Sequence, residues 1–349
     1  MHLPSEWLGK PYYSLDAYLK KEFGEKVYKL SLDGGMTCPN RDGTCGTRGC
    51  IFCSEGGSGD FAGDRRLSIT EQMQTQKAML QGKRPVRKYI AYFQAYTNTY
   101  APVDVLESLF SEALSDPEVV VLSVATRPDC LGADVLELLE RLNRQKPVWV
   151  ELGLQTIHAS TAAYIRRGYP LSCFETALEE LHRRGIPVIV HTILGLPFES
   201  EEMVLDTMRY LNRMPVSGIK LQLLHVLKHT DLAEEYRKGS FQVLNRDAYL
   251  TLVMRCLAQL RPNLVIHRLT GDGPKDLLIA PLWSQAKRSV LNDLHRRLKE
   301  EQIWQGKELG FVPDTHVSGA LMQPSQELRR FDRTTADLSF AGIHRPEPR

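Results

Sequence analysis

Nowhere in this sequence does an apolar run approach the roughly 20 residues that a bilayer-spanning helix needs. The first ten residues also lack the apolar stretch of a secretory signal, which predicts a cytoplasmic location and no membrane partner. Charge of one sign is equally scarce. The 44 basic and 42 acidic side chains leave a formal net charge of +2, too little to argue for a polyanionic partner from bulk charge. An even set of cysteines is missing too: of the seven, four fall within sixteen residues while Cys130, Cys173 and Cys256 stand alone. That distribution does not fit a disulfide framework, and clustered thiols in a chain without a secretion signal bind metal or do chemistry. The isolated three read as small buried hydrophobes.

What is present is the rhythm of a parallel β/α protein. With 42% hydrophobic and 25% charged residues, the 349-residue chain is an ordinary folded protein able to bury a large core. Short runs rich in Val, Ile, Leu and Tyr predict strands at 27–32, 89–94, 119–125, 148–155, 188–194 and 219–225. Amphipathic helical stretches lie between them, such as VDVLESLFSEAL and DVLELLERLNR. Pro102 opens one helix where its missing N–H costs nothing, and Ser200 is placed to cap EEMVLDTMRYL. Six consecutive β/α units predict a partial (β/α)6 TIM-like barrel, with an open doubly wound sheet as the alternative. Either architecture collects chemistry at the strand C-termini. After His225 the rhythm changes to helices around 247–260 and 284–300 with the strand LVIHRL between them. The chain therefore divides into an N-terminal segment (1–25), a barrel (26–230), a C-terminal α/β extension (231–310) and an irregular tail (311–349), part of it expected to be poorly ordered.

The most informative stretch follows the first strand: SLDGGMTCPNRDGTCGTRGCIFCSEGGSGDFAG. Its glycines let a long loop wrap closely around a compact ligand. Cys38, Cys45, Cys50 and Cys53 have spacing that suits either tetrahedral zinc or an iron-sulfur cluster, since both need several converging thiolates. Structural zinc sites usually pair two C-x2-C knuckles. This loop has one, at a strand end where a catalytic centre belongs.

The pattern Cys-x11-Cys-x2-Cys with Phe52 before the last cysteine resembles the radical S-adenosylmethionine (SAM) superfamily. TCPNRDGT, GCIFCSEGGSGDFAG, YFQAYTNTYAP, TRPDCL, VELGLQT and HTILGLP, in that order, are similar to its YhcC/YtqA group, a branch near the elongator-type enzymes. The resemblance implies a radical SAM barrel and a 4Fe-4S cluster held by Cys38, Cys50 and Cys53. S-adenosylmethionine would chelate the remaining iron and, on reduction, yield a 5′-deoxyadenosyl radical that abstracts hydrogen from substrate. It further implies a low-potential electron donor such as flavodoxin or ferredoxin. Cys45 departs from the three-ligand pattern and is left outside the site.

By the same resemblance, Glu151 and Gln155, on one face of the fourth strand with Gly153, would meet the ribose and nearby polar groups of the cofactor. The alternative is an edge glutamate and a satisfied core glutamine. Gln94, Thr97 and Asn98 stand where relatives bind the methionine amino group, although the QAYTN segment matches by position and could form an ordinary turn. Arg167 occupies the place of a basic residue for the cofactor carboxylate, with Arg166 as its rival. His191 and Gly195 would border the adenine on the fifth strand, a structural histidine being the plainer reading. Arg127 and Asp129 lie near the same mouth, where they could instead pair with one another, and Gln222 and His225 follow on the sixth strand.

No second cysteine group exists for another cluster, and no acetyltransferase domain of the elongator kind follows, so a single-cluster enzyme is expected. Members of the resembled group are connected with tRNA. The leading expectation is remodelling of the C5 side chain of wobble uridine, from a carboxymethylaminomethyl-type to an aminomethyl-type group. Lys287, Arg288, Arg296, Arg297 and Lys299 offer phosphate contacts on one helix, which its acidic residues dilute. The alternatives are a radical enzyme acting on a small metabolite or porphyrin-like substrate, and a zinc-stabilised nucleic-acid binder.

Overall fold

The computed structural model describes residues 3–57, 59–81, 86–271 and 273–313. The expectation of an irregular tail lies, beyond residue 313, outside the described residues. Nine strands are described: β1 (Val27–Leu32), β2 (Lys88–Phe93), β3 (Val119–Thr126), β4 (Val148–Gln155), β5 (Val188–Leu194), β6 (Gly218–Leu223), β7 (Val226–Leu227), β8 (Val265–Arg268) and β9 (Leu278–Ala280). The helices are α1 (Leu15–Phe23), α2 (Ile69–Gln81), α3 (Val103–Ser115), α4 (Ala133–Asn143), α5 (Ala159–Tyr164), α6 (Leu171–Arg183), α7 (Glu201–Asn212), α8 (Asp231–Arg237), α9 (Arg246–Gln259) and α10 (Lys287–Glu300). Among the described residues, no helix is long and apolar enough to cross a membrane.

Local chemistry sets the boundaries. Ser200 caps α7 as expected, its side chain accepting from Met203 N at 3.3 Å, and Pro102 stands at the start of α3. Helix α1 begins where Ser14 Oγ accepts from Ala17 N and stops at Gly24, whose φ of +74° ends the helix in the left-handed region.

Strands β1, β2, β3, β4, β5, β6 and β8 form one parallel sheet in that order. The partial barrel expected from six β/α units is present, and the LVIHRL segment adds a seventh strand beside β6. The sixth strand ends at Leu223 rather than His225, because the chain leaves the sheet there and pairs Val226–Leu227 antiparallel with β9. The sheet is curled. Lys29 on β1 bonds Glu151 on β4 at 2.7 Å. Three strand spacings in a flat sheet would separate their backbones by about 14 Å, too far for that contact between ordinary side chains to be the rule. The doubly wound alternative therefore fails.

Curling gives the sheet an inside and an outside. Helices α2, α3, α4, α6, α7, α9 and α10 bury the outer face in the main core, where Phe93, Phe110, Phe174, Leu178 and Leu205 are fully enclosed. Inside, at the N-terminal ends of the strands, Val27, Ile90, Val121, Trp149 and Ile189 pack with Leu15, Tyr18 and Leu19 of α1. Each such side chain contributes about 1.5–3 kcal/mol on burial. The segment that leads into α1 is tied to the far edge of the sheet by Ile266 N donating to Tyr13 O at 2.8 Å. One end of the barrel is thus plugged, leaving the C-terminal end for the site.

Candidate active site

The loop between β1 and α2 crosses the open end. Its first turn is closed by Arg41 N donating to Cys38 O at 2.8 Å, and a second by Cys53 N donating to Cys50 O at 3.0 Å. Buried Asn40 fastens the loop to the chain after α5: its Nδ2 donates to the carbonyls of Arg166 and Arg167 at 2.8 and 3.3 Å. The same nitrogen lies 3.6 Å from Cys50 Sγ. Gly168, with φ of +86°, allows this approach, since a Cβ there would stand 2.5 Å from Asn40 Oδ1. Arg41 Nη2 donates to Ser54 O at 2.5 Å and Cys53 O at 3.2 Å, closing the loop on itself.

Cys38, Cys50 and Cys53 are free thiols lining one cavity of about 490 Å³, within the range of small-molecule and cofactor sites. Cys45 is exposed and outside it. Burial pushes the Cys50 thiol up to about 12, with Cys53 adding to the effect. Among the described residues, no group of three or more His, Cys, Asp or Glu side chains converges on a single ion position. Three thiols from one loop, with no fourth cysteine lining the cavity among the described residues, have the chemistry to suit a cluster that leaves one iron for another ligand.

Arginines form the wall. Arg127 makes a bidentate pair with Asp129 at 2.9 and 2.6 Å, the mutual pairing that was one of the two expectations for them. Its Nη1 donates to Arg167 O at 3.1 Å, and although burial opposes the cation, the Asp129 bond holds its pKa above the ordinary value. Arg167 is buried, donating to the carbonyls of Tyr169, Leu154 and Thr156 at 3.1, 3.0 and 2.6 Å. Burial lowers its pKa. Both guanidinium groups lie 4.9 Å from the Tyr169 ring. Arg166 points elsewhere, to Asp231 at 2.5 Å, so of the two arginines only Arg167 lines the cavity.

The floor is a layer of charge. Glu151 has a side chain with no solvent exposure, and four donors surround it. Lys29 Nζ at 2.7 Å and Ser123 Oγ at 2.9 Å reach Oε1; His191 Nε2 at 2.6 Å and Lys220 Nζ reach Oε2. Lys220 also donates to Tyr92 OH at 3.0 Å. Burial disfavours the Glu151 carboxylate, yet Lys220, Lys29 and the His191 bond outweigh it and hold its pKa well below the usual range. Burial, then Lys220, drives His191 down to about 4. The imidazole is therefore neutral, donates from Nε2 to Glu151, and accepts at Nδ1 from Gln222 Nε2 at 3.4 Å.

The cavity gathers nine of the residues singled out in the sequence: the three cysteines, Gln94, Thr97, Glu151, Gln155, Arg167 and His191. Gln222 and His225 join them. Asn98 and Gly195 do not. Asn98 is buried beside the cavity, its Nδ2 donating to the carbonyls of Phe93 and Ala125 at 3.1 and 2.8 Å, a bond set that closes the turn after β2. Gly195 turns the chain after β5 with φ of +85°, packed against Leu244. Gln155 also has a positive φ, +61°, at the irregularity where β4 meets β5, and Tyr169 OH donates to Gly153 O beside it at 2.6 Å.

The sequence reading missed Lys29, Tyr92, Tyr169, Lys220 and Arg268, all of which belong to the floor or wall. A signal was there: a lysine in the middle of a largely buried strand is costly unless a partner waits for it.

Comparison with known proteins agrees with this geometry. Residues 43–211 match the Radical SAM superfamily, and residues 216–300 match the Radical_SAM C-terminal domain. The chain is 45% identical to YtqA of Bacillus subtilis (strain 168) over 298 residues, covering 85% of this chain and 92% of that one. It is distantly similar, at 22% over 185 residues, to the tRNA uridine(34) acetyltransferase of Methanocaldococcus jannaschii, covering 52% of this chain and 33% of the relative. Among solved structures, archaeal Methanocaldococcus infernus Elp3 with an N-terminal deletion shares the fold, with a TM-score of 0.62, 14% identity, and coverage of 80% of this chain and 64% of that one. With its cysteine loop at the open end of a partial parallel barrel, the chain belongs to the radical SAM superfamily, in the group that includes YhcC and YtqA and is related to the elongator-type enzymes.

Proposed function

We propose that this radical SAM enzyme acts on tRNA, remodelling the C5 side chain of wobble uridine from a carboxymethylaminomethyl-type to an aminomethyl-type group. The observation that carries the reading is the polar, net-cationic floor of the barrel beneath the cysteine loop, which suits a polar substituent bearing a carboxylate. The distant likeness to a tRNA uridine(34) acetyltransferase supports the choice of nucleic acid. A porphyrin would present a broad apolar face, for which this floor offers no match.

As a member of the superfamily the chain uses a 4Fe-4S cluster and S-adenosylmethionine. Cys38, Cys50 and Cys53 would hold the cluster, and the donor set and cavity described above fit it. When bound and reduced, these cofactors supply one-electron chemistry that removes a hydrogen atom from an unactivated C–H bond. The protein's part is to bind and orient. Arg127 and Arg167 set positive charge beside the thiols, and Arg167 is assigned to the cofactor carboxylate. Gln94, Thr97 and Gln155 offer neutral polar groups around the cavity, while neutral His191 keeps Glu151 and Gln222 in register. Residues 26–230 would form the catalytic barrel and 231–310 its extension, in a cytoplasmic enzyme supplied by a flavodoxin- or ferredoxin-type donor.

The test is a nucleoside mass spectrum of tRNA from cells lacking the gene, paired with anaerobic incubation of purified enzyme with that tRNA. Accumulated carboxymethylaminomethyl-type uridine in the first, and its conversion in the second, are expected. An unchanged set of wobble uridines would remove the tRNA assignment.

A further inference from the structure

The charges on the barrel floor do not balance. Glu151 is the one carboxylate of this layer among the described residues, and it faces Lys29, Lys220 and Arg268. Lys29 and Lys220 both spend a bond on it. Arg268, the last residue of β8, lines the same cavity and makes no hydrogen bond or ion pair among the described residues. It lies beside Lys220 in the sheet register. Like charges directly opposite one another on adjacent strands repel, and enclosure strengthens the repulsion. Lys220 is offset by Glu151, leaving Arg268 without an offset.

Lys220 has capacity left as well. An ammonium has three donors, and the Glu151 and Tyr92 bonds occupy two. Lys29 stands behind, its ammonium 4.3 Å from the centre of the Tyr92 ring, and adds to the positive potential without lining the cavity itself.

Resting on the reading above, we propose that Arg268 and Lys220 form a carboxylate clamp that grips the carboxylate of the substrate side chain. A planar guanidinium matches a carboxylate through two parallel donors, with the ammonium as a point charge alongside. A phosphodiester is a poor occupant, because a nucleic-acid strand continues in both directions from it and the far end of the barrel is plugged by α1. The clamp takes a terminal group. Two carboxylates could fill that description, one from the substrate and one from S-adenosylmethionine; the clamp is assigned to the substrate because Arg167 already stands beside the cysteine loop.

The experiment uses anaerobically reconstituted holoenzyme and titration calorimetry with three ligands: 5-carboxymethylaminomethyluridine, its methyl ester, and S-adenosylmethionine. Wild type should bind the acid at least tenfold more tightly than the ester, the range expected for hydrogen bonds to a charged group. Arg268→Met should erase that preference and Arg268→Lys restore part of it, with affinity for S-adenosylmethionine within twofold of wild type in both. Equal loss for acid and ester, or loss of cofactor affinity in place of the preference, overturns the clamp. Turnover of tRNA separates the two readings. Wild type that discriminates acid from ester but converts no tRNA removes the tRNA reading and keeps the clamp. Conversion of tRNA by Arg268→Met with an unchanged KM does the reverse.

Discussion

Removing the charge of Glu151 while keeping its shape, as Glu151→Gln, leaves Lys220 with 4% of its side chain exposed and no anionic partner. Lys29 at 22% exposure keeps some solvent, so most of the cost falls on Lys220. Breaking a buried ion pair by deleting one partner costs about 3–5 kcal/mol, a large share of the roughly 5–15 kcal/mol that keeps a protein folded. The amide also places N–H groups against donors, so at least one bond among Lys29, Ser123, His191 and Lys220 is lost outright. Equilibrium urea unfolding followed by circular dichroism should show the midpoint falling by about 1–1.7 M for an m of about 3 kcal/mol/M. Adding Lys220→Met removes the stranded cation, and the double variant should lose less than the two single losses combined by about 2 kcal/mol. A Glu151→Gln loss below about 1 kcal/mol, or simple additivity in the double variant, would refute the view that this layer is held by one buried carboxylate.

Cys38→Ala, Cys50→Ala and Cys53→Ala should each lose most bound iron and all reductant-dependent 5′-deoxyadenosine release, while Cys45→Ala, exposed and outside the cavity, keeps both. Iron loss in Cys45→Ala would show that the ligand set is incomplete. His191 supplies a pH dependence. Its value falls from 6.5 unfolded to about 4 folded, so its contribution is complete above 6.5 and is lost as pH drops through that window. The shift amounts to about 3 kcal/mol, and His191→Gln should flatten the metal-free protein's stability curve between those limits; an unaltered slope counts against it. Gly168→Ala drives a Cβ into Asn40 and Arg127, whereas Gly185→Ala, with φ of +66°, meets nothing within 4 Å. The backbone cost of about 1–3 kcal/mol is common to both, so iron retention after anaerobic desalting should fall in Gly168→Ala alone.

Much of the fold was legible because it is written locally. The run VVVLSVAT reads as a buried parallel strand and is one, and Ser200 announces a helix start that its hydroxyl then makes. The end of β6 was not legible. Leu224 still bonds Leu194 across the sheet, and nothing in LQLLHVL marks the point at which Val226 leaves to pair with Ala280, a partner more than fifty residues away. The place of the seventh strand was hidden for a related reason: LVIHRL carries the strand signal and reads as a strand, but its neighbour is chosen by the closing edge of the curled sheet, where β6 and the segment before α1 meet it.

The site divides in the same way. The cysteine loop is contiguous, so its three thiols could be picked out by spacing and by likeness. The floor is assembled from β1, β2, β3, β4, β5, β6 and β8, each giving one or two side chains, and no local pattern connects Lys29 to Glu151 or Glu151 to Lys220. What the sequence does hold is the cost. A lysine at the centre of VYKLSL or GIKLQL breaks an apolar strand, and the expense of burying it is tolerated only where a counter-charge sits on the same inner face. Two such lysines and one glutamate of matching depth already require a polar chamber inside the barrel. Arg268 then adds to a chamber that already holds two lysines against one glutamate, because its strand is the last to join and brings a cation for which the layer has no acid left among the described residues. Stability alone would favour an apolar residue there, so the arginine is better explained by a ligand than by the fold.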